Sequence, residues 1–92
     1  MDTTALLTGL KTDLGIRSTA YDARLTDRIT EAQERLAAEG IVLENTAADR
    51  DLVIMYAAWL WRVRVTGAPM PRMLTVARNN RLFGQKAAEA AT

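Results

Sequence analysis

The chain has 92 residues, of which 49% are hydrophobic and 25% charged, and its formal net charge is +1. This length and near-average composition predict one globular domain spanning residues 1–92. The chain has no cysteine and no histidine, which excludes disulfides, thiol chemistry and the commonest general base and metal ligand. The longest apolar run, residues 52–61, is too short for a membrane span, so no membrane partner is expected. The start of the chain, Met1-Asp2-Thr3-Thr4, predicts no secretory leader and favours a cytoplasmic type of domain.

A first helix is predicted over about residues 4–14. Its apolar face is formed by leucines that recur at spacings of three and four: Leu6, Leu7, Leu10 and Leu14. Asp2 or Thr3 is the expected N-cap, and Gly15 is the expected end. Gly9 costs roughly 1 kcal/mol against alanine inside a helix. Either a close helix–helix contact or simple tolerance of this cost explains the glycine at this position.

A second helix is predicted over about residues 22–39, opened by the capping box Thr19-x-x-Asp22 and closed by Gly40. Glu31 and Arg35 form a favourable i,i+4 pair on its polar side. Its buried side is a narrow seam of four residues: Leu25, Ile29, Ala32 and Leu36.

A third helix is predicted over about residues 47–65, after a packed connector or single turn of strand at residues 41–43. The sequence Thr46-x-x-Asp49 is a second capping box, and Gly67 ends the helix. Residues 52–61 are apolar on every face. Residues 52, 56, 59 and 63 form one face, and residues 54, 58, 61 and 65 form another.

The two tryptophans of this helix lie roughly 200° apart and cannot share a face. One explanation is that the helix is central and surrounded by the others. The second is that one tryptophan lies at a subunit interface, where aromatic anchors are enriched. Both can hold in part, with Trp61 half covered by the stems of Arg62 and Arg64.

Pro69 and Pro71 stop the third helix, and Pro71 suits the first turn of a fourth helix over about residues 72–82. Gly84 lies past its end, and residues 85–92 are expected to be a frayed tail. The fold class is therefore all-α. We expect a small bundle of about four helices, in which the apolar helix at about 47–65 is surrounded by the others.

The charge is divided along the chain. Residues 1–51 carry six cations and ten acids, a net of −4, whereas residues 52–92 carry six cations and one acid, a net of +5. The split predicts an anionic partner for the C-terminal half, or complementary self-association. A head-to-tail contact of this kind closes into a ring when it repeats around an axis. The segment 72–86 holds four cations and no acid: Arg72, Arg78, Arg81 and Lys86.

No arrangement of residues typical of a catalytic or cofactor site is present, so an enzyme is not expected. Ser18 is the only serine, and it is better explained as a cap than as a nucleophile. Asp27, Glu31 and Glu34 share a helical face, but their neighbouring arginines are typical of a solvated salt-bridge surface rather than a metal site.

Three segments of the C-terminal half form a distinctive series: Tyr56-Ala57-Ala58-Trp59-Leu60-Trp61-Arg62-Val63-Arg64, Met70-Pro71-Arg72-Met73-Leu74 and Ala77-Arg78-Asn79-Asn80-Arg81-Leu82-Phe83. In this order of apolar, aromatic and Arg-Asn positions the chain resembles the tailed-phage head–tail connector family. Two N-terminal features agree with the resemblance: the amphipathic second helix that ends at Gly40 and the segment Leu10-Lys11-x-x-Leu14-Gly15-Ile16. The resemblance covers roughly residues 6–86.

The resemblance implies a structural head-completion protein that forms a ring of about a dozen copies beneath the portal. Such an adaptor joins the DNA-filled head to the tail, contacts the portal and a tail or stopper protein, and touches channel DNA non-specifically. It is assembled in the host cytoplasm and resides in the virion. The chain ends soon after Lys86, so the long inserting arm of that family is not expected. The interface candidates are Trp61, Arg62, Arg64, Arg72, Arg78, Asn79, Asn80, Arg81, Phe83 and Lys86.

An alternative interpretation is a small helical DNA-binding module whose basic C-terminal helix enters the major groove. Arg72, Arg78 and Arg81 would contact phosphates, and Asn79 or Asn80 would hydrogen-bond to adenine. The net charge of only +1 disfavours this alternative, because DNA-binding domains usually have a basic surface.

Overall fold

The computed structural model describes the backbone of residues 1–91 and the side chains of these residues other than 65, 66 and 91. The chain forms four helices, and no strand occurs within residues 1–91. The helices are α1 (Thr3–Leu14), α2 (Asp22–Ala38), α3 (Ala47–Thr66) and α4 (Arg72–Ala91). The predicted all-α class is confirmed, and residues 41–43 form a connector without a strand.

Helix α3 lies at the centre of the bundle, because it packs against each of the other three helices. Its side chains Val53, Tyr56 and Ala57 are buried in a core shared with α1 and α2. The predicted seam of α2 is confirmed, since all four of its residues are fully buried: Leu25, Ile29, Ala32 and Leu36.

Helices α1 and α3 approach closely at Gly9. A Cβ atom at Gly9 would lie 2.6 Å from Cδ1 of Ile54 on α3, well inside ordinary contact distance. The close helix–helix contact therefore accounts for a glycine in the middle of α1.

The helix ends follow the expected capping chemistry at most positions. The carboxylate of Asp2 accepts a hydrogen bond from the amide of Thr4 at 3.0 Å and opens α1. Beyond α2, Gly40 has φ 96°, and the amide of Ile41 donates to the carbonyl of Leu36 at 3.1 Å. This is a Schellman motif, and only glycine adopts such a φ without strain.

The predicted capping box at the start of α2 is wrong. The N-cap position is occupied by Tyr21, which makes no side-chain capping bond. The carboxylate of Asp22 instead pairs with the ammonium of Lys11 at 2.8 Å. The carboxylate that the predicted capping box with Thr19 required is therefore bound to α1 in an ion pair.

Helix α4 is longer than predicted. Gly84 does not have a positive φ and lies inside the helix, which continues to Ala91. Alanines after Gly84 favour helix, and Gln85 is held by hydrogen bonds to the connector. The segment 85–91, which was expected to fray, is a continuation of α4. Thr92 lies outside the described residues.

Candidate functional site

Helix α4 carries apolar side chains on two opposite sides. Leu74 points into the core and is buried, whereas Met73 is 76% exposed and Phe83 is 63% exposed. At about 100° per residue, positions 73, 76, 80 and 83 fall within about 80° of the helix circumference. We call this strip the outer face of α4, formed by Met73, Val76, Asn80 and Phe83.

A shallow groove runs along the first part of the outer face. It has a volume of about 390 Å³ and is lined by Arg72, Met73, Val76, Ala77 and Asn80. The side chains of Arg72 and Lys86, near the two ends of the strip, are exposed. The result is an apolar strip bordered by positive charge, which a single copy leaves in contact with water. Apolar surface of this kind marks interaction sites.

Two arginines of α4 are directed back into their own chain. Arg78 pairs with Glu39 at 3.3 Å, and Arg81 pairs with Asp49 at 2.7 Å. Part of the charge asymmetry between the two halves of the sequence is therefore neutralised within one subunit.

The carboxylate of Asp49, only 1% exposed, is the centre of this polar contact. Its Oδ1 accepts from Nε of Arg81 at 2.7 Å, and its Oδ2 accepts from Nη2 at 3.2 Å, a bidentate geometry. Oδ2 also accepts from the amide of Glu44 at 2.8 Å. The amide of Asp49 donates to Oγ1 of Thr46 at 3.2 Å, which confirms the first half of the predicted capping box.

Burial by itself raises the pKa of Asp49, because it removes the carboxylate from water. The hydrogen bonds from Arg81 and from the amide of Glu44, together with the attraction of the guanidinium, outweigh burial. The pKa of Asp49 therefore lies below its ordinary value. The hydrogen bond to Asp49 raises the pKa of Arg81, so the guanidinium stays charged.

We expect acid to weaken the domain through Asp49. The pKa of Asp49 is lower in the folded chain than its ordinary value of 3.8, so the ion pair stabilises the fold fully at pH values above 3.8. This contribution is lost as the pH falls through the folded pKa. The charged groups that line the cleft beside Asp49 include Arg81, Glu44 and Glu89. Urea titrations from about pH 7 down to about pH 2 should show that the free energy of unfolding falls more steeply with decreasing pH in the native chain than in Asp49→Asn. Equal slopes in the two proteins would contradict this assignment.

Both tryptophans are half-buried within their own subunit. The indole N–H of Trp59 donates to the carbonyl of Ala68 at 3.2 Å, and its ring meets that of Tyr56 edge-on. Trp61 meets Tyr21 edge-on at 5.7 Å, and the Arg64 guanidinium lies over its ring at 4.4 Å. The apolar side chains of α3 between residues 52 and 63 are thus all buried or half-buried within one subunit. The side chain of Val65 lies outside the described residues.

The remaining candidates are spread over two regions of the surface. Arg62 and Arg64 are exposed near Trp61, at the C-terminal end of α3. On α4, Asn80 is exposed, and the side chain of Asn79 accepts from Arg78 at 3.4 Å. The candidates on α3 therefore lie at its C-terminal end, whereas those of the outer face lie along α4.

Three residues of this region were not predicted as site residues from the sequence: Met73, Val76 and Gln85. The spacing of residues 73, 76 and 83 agrees with a helical strip, so periodicity over a longer α4 would have found Met73 and Val76. No local signal marks Gln85, because its partners Gly40 and Val42 lie more than 40 residues away.

Within residues 1–91, no helix has both the length and the apolar character that a membrane span requires. No cluster of carboxylates in this part of the chain could hold a metal ion, and Glu31 pairs with Arg28 and Arg35 instead. Comparisons of the chain with protein-family models, curated proteins and solved structures find no match.

Proposed function

We propose that this chain is a structural subunit of a phage head–tail connector. In this proposal about a dozen copies form a ring beneath the portal and join the DNA-filled head to the tail. The ring contacts the portal on one side and a tail or stopper protein on the other. No reaction is catalysed, and the protein acts only through its contacts in the virion.

The observation that carries the proposal is the outer face of α4. The core is closed by α1, α2, α3 and the inner side of α4, yet large apolar side chains remain exposed at Met73, Val76 and Phe83. An assembly subunit needs such a strip, because buried apolar and aromatic anchors supply most of the binding energy of an interface. The likeness of residues 56–83 to connector proteins adds to this argument.

The distribution of exposed charge also supports a head-to-tail contact between copies. Arg72 and Lys86 border the outer face, whereas Asp13, Asp27 and Glu34 are exposed on the N-terminal half. Unlike net charges on the two halves of the chain favour a heterologous contact, which closes into a ring when its rotation permits.

Electron microscopy tests this proposal directly. The purified protein is imaged alone and mixed with the portal protein that is encoded in the same genome. We expect closed rings of about a dozen copies, either free or seated on the portal. If rings are absent from both samples and the chain does not bind the portal, the proposal is wrong.

Salt should weaken the association. Exposed ion pairs are screened beyond about 8 Å at physiological ionic strength, so contacts near Arg72 and Lys86 lose strength as salt rises. Light scattering of concentrated protein at low and at high salt should show a smaller mean mass at high salt. An association that is insensitive to salt would remove the electrostatic part of the proposal.

The DNA-binding alternative has less support. Two of its three phosphate contacts, Arg78 and Arg81, are paired with Glu39 and Asp49 of the same chain. A gel shift with duplex DNA at about 50 mM salt separates the two functions, because a dedicated DNA-binding module binds strongly there.

A further inference from the structure

Helix α4 contributes one fully buried side chain, Leu74, to the apolar core, and Ala77 and Leu82 pack against that core while half-buried. Among the described residues, fourteen apolar side chains are buried, and only Leu74 belongs to α4. The other thirteen lie on α1, α2, α3 and the connector. Because hydrophobic burial is the main stabilising term in folding, α1–α3 hold most of the stability of the domain.

Polar contacts attach the middle of α4 to the rest of the chain. Arg81 forms the bidentate pair with Asp49, and its Nη2 donates to the carbonyl of Val42 at 2.7 Å. The side-chain amide of Gln85 accepts from the amide of Val42 at 2.8 Å and donates to the carbonyl of Gly40 at 2.6 Å. We call these contacts the latch. It consists of Asp49, Arg81, Gln85 and the backbone of Gly40 and Val42.

The latch supplies hydrogen-bond partners for backbone groups of the connector. Gln85 and Arg81 bond the carbonyl of Gly40 and both polar backbone groups of Val42, in a connector that has no regular secondary structure. When α4 is removed, water can solvate these groups and both charges of the ion pair. Opening the latch therefore leaves no polar group buried without a partner.

The link between α3 and α4 allows such a movement. It consists of residues 67–71, Gly67-Ala68-Pro69-Met70-Pro71, with Gly67 at φ 64°. The two prolines have no N–H group to donate, and α4 packs against no helix other than α3 among the described residues. Besides the latch, α4 is held by the ion pair of Arg78 with Glu39 at 3.3 Å, and the link is held by the hydrogen bond from Trp59 to Ala68 at 3.2 Å. Neither contact is part of the apolar core.

We propose that α4 is a releasable arm. It detaches from α3 and the connector as one unit, pivots at residues 67–71, and leaves the α1–α3 core folded. Detachment uncovers Leu74, Ala77 and Leu82, whereas global unfolding also exposes the thirteen buried side chains of α1, α2, α3 and the connector. The free energy of detachment is therefore well below that of global unfolding. The proposal concerns the isolated chain and holds whether or not the protein forms a connector ring.

Native-state hydrogen exchange of the full chain, followed by NMR, tests this proposal. We expect the amides in the middle of α4, residues 76–84, to exchange through a common opening. Their rates should exceed those of Ile29 and Val53 by at least about 100-fold after correction for intrinsic rates. Equal protection of α4 and the core amides, in a single cooperative unit, would overturn the proposal.

Variants of the latch sharpen the test. Gln85→Ala removes three hydrogen bonds, to Val42, Gly40 and Arg81, but leaves the ion pair of Arg81 with Asp49 in place. The exchange of α4 amides should therefore rise about 5- to 10-fold while that of Ile29 and Val53 changes less than about twofold. Arg81→Met should raise α4 exchange about 10- to 100-fold. The matched control is Lys86→Met, which removes an exposed cation of α4 and should leave exchange unchanged.

The pattern of change decides the outcome. If Arg81→Met fails to fold, Gln85→Ala alone carries the decision. If Gln85→Ala accelerates the amides of α1–α3 as much as those of α4, the arm does not open separately and the proposal is wrong. If Lys86→Met accelerates α4 as strongly as Gln85→Ala does, the latch is not what holds the arm.

Discussion

Truncating Ile29 to alanine is expected to lower the free energy of unfolding by about 2–5 kcal/mol. Ile29 is fully buried in the middle of the α2 seam, where it packs in the core that α2 shares with α1 and α3. Its truncation removes apolar burial and leaves a cavity that tightly packed neighbours fill only in part. Urea titration followed by circular dichroism measures the change.

Val42→Ala is the matched control for this truncation. Val42 is an aliphatic, β-branched side chain like Ile29, but it is 65% exposed. Its truncation should change stability by no more than about 0.5 kcal/mol. If Ile29→Ala lowers the free energy of unfolding as little as Val42→Ala does, the core is not centred on the α2 seam.

Placing a charge on the outer face of α4 is expected to weaken association strongly. Phe83→Asp removes the largest aromatic side chain of the strip and introduces a carboxylate that must lose its water at an interface. Loss of a central anchor costs at least about 2 kcal/mol, so association should weaken at least about 30-fold. Sedimentation of ring or portal complexes measures the loss, and the folded monomer should retain its stability.

Val42→Asp is the matched control for the outer face. Val42 and Phe83 have nearly equal exposure, 65% and 63%, so both substitutions remove exposed apolar surface and add one negative charge. Only Phe83 lies on the outer face. If Val42→Asp weakens association as much as Phe83→Asp, then net charge rather than the strip controls assembly.

The α2 seam could be predicted because it is a local property of the sequence. Residues at spacings of 4, 3 and 4 share one helical side whatever surrounds them, and only one packing direction buries them. The ends at Gly15, Gly40 and Gly67 were predictable for the same reason, because a glycine with positive φ acts through bonds within one or two turns.

The two predicted capping boxes show the limit of capping rules that consider only residues nearby in the sequence. At Thr46 the hydroxyl caps α3 as predicted, but the carboxylate of Asp49 bonds to Glu44 and Arg81 instead of the amide of Thr46. At Thr19 the predicted partner, Asp22, pairs with Lys11 on another helix. In both cases a cation that is distant in sequence competes with the local bond, and the sequence alone does not specify that cation.

The candidate site was only partly predictable. Phe83 and Arg72 were identified from the sequence, whereas the length of α4 was underestimated because Gly84 is a common helix end. The pairing of Arg78 and Arg81 with acids 39 and 32 residues away depends on how α4 packs. An excess of apolar surface was expected on α3, but the described large apolar side chains left exposed on a helix lie on α4.

Oxidative footprinting of the assembled protein tests most directly whether the outer face of α4 is the contact surface. Met73 and Phe83 are exposed in the free chain and react readily with hydroxyl radicals, as does the exposed Tyr21. In rings or portal complexes we predict that oxidation of Met73 and Phe83 falls several-fold while that of Tyr21 is unchanged. If Met73 and Phe83 are oxidised as rapidly in the assembly as in the free chain, the outer face is not the contact surface.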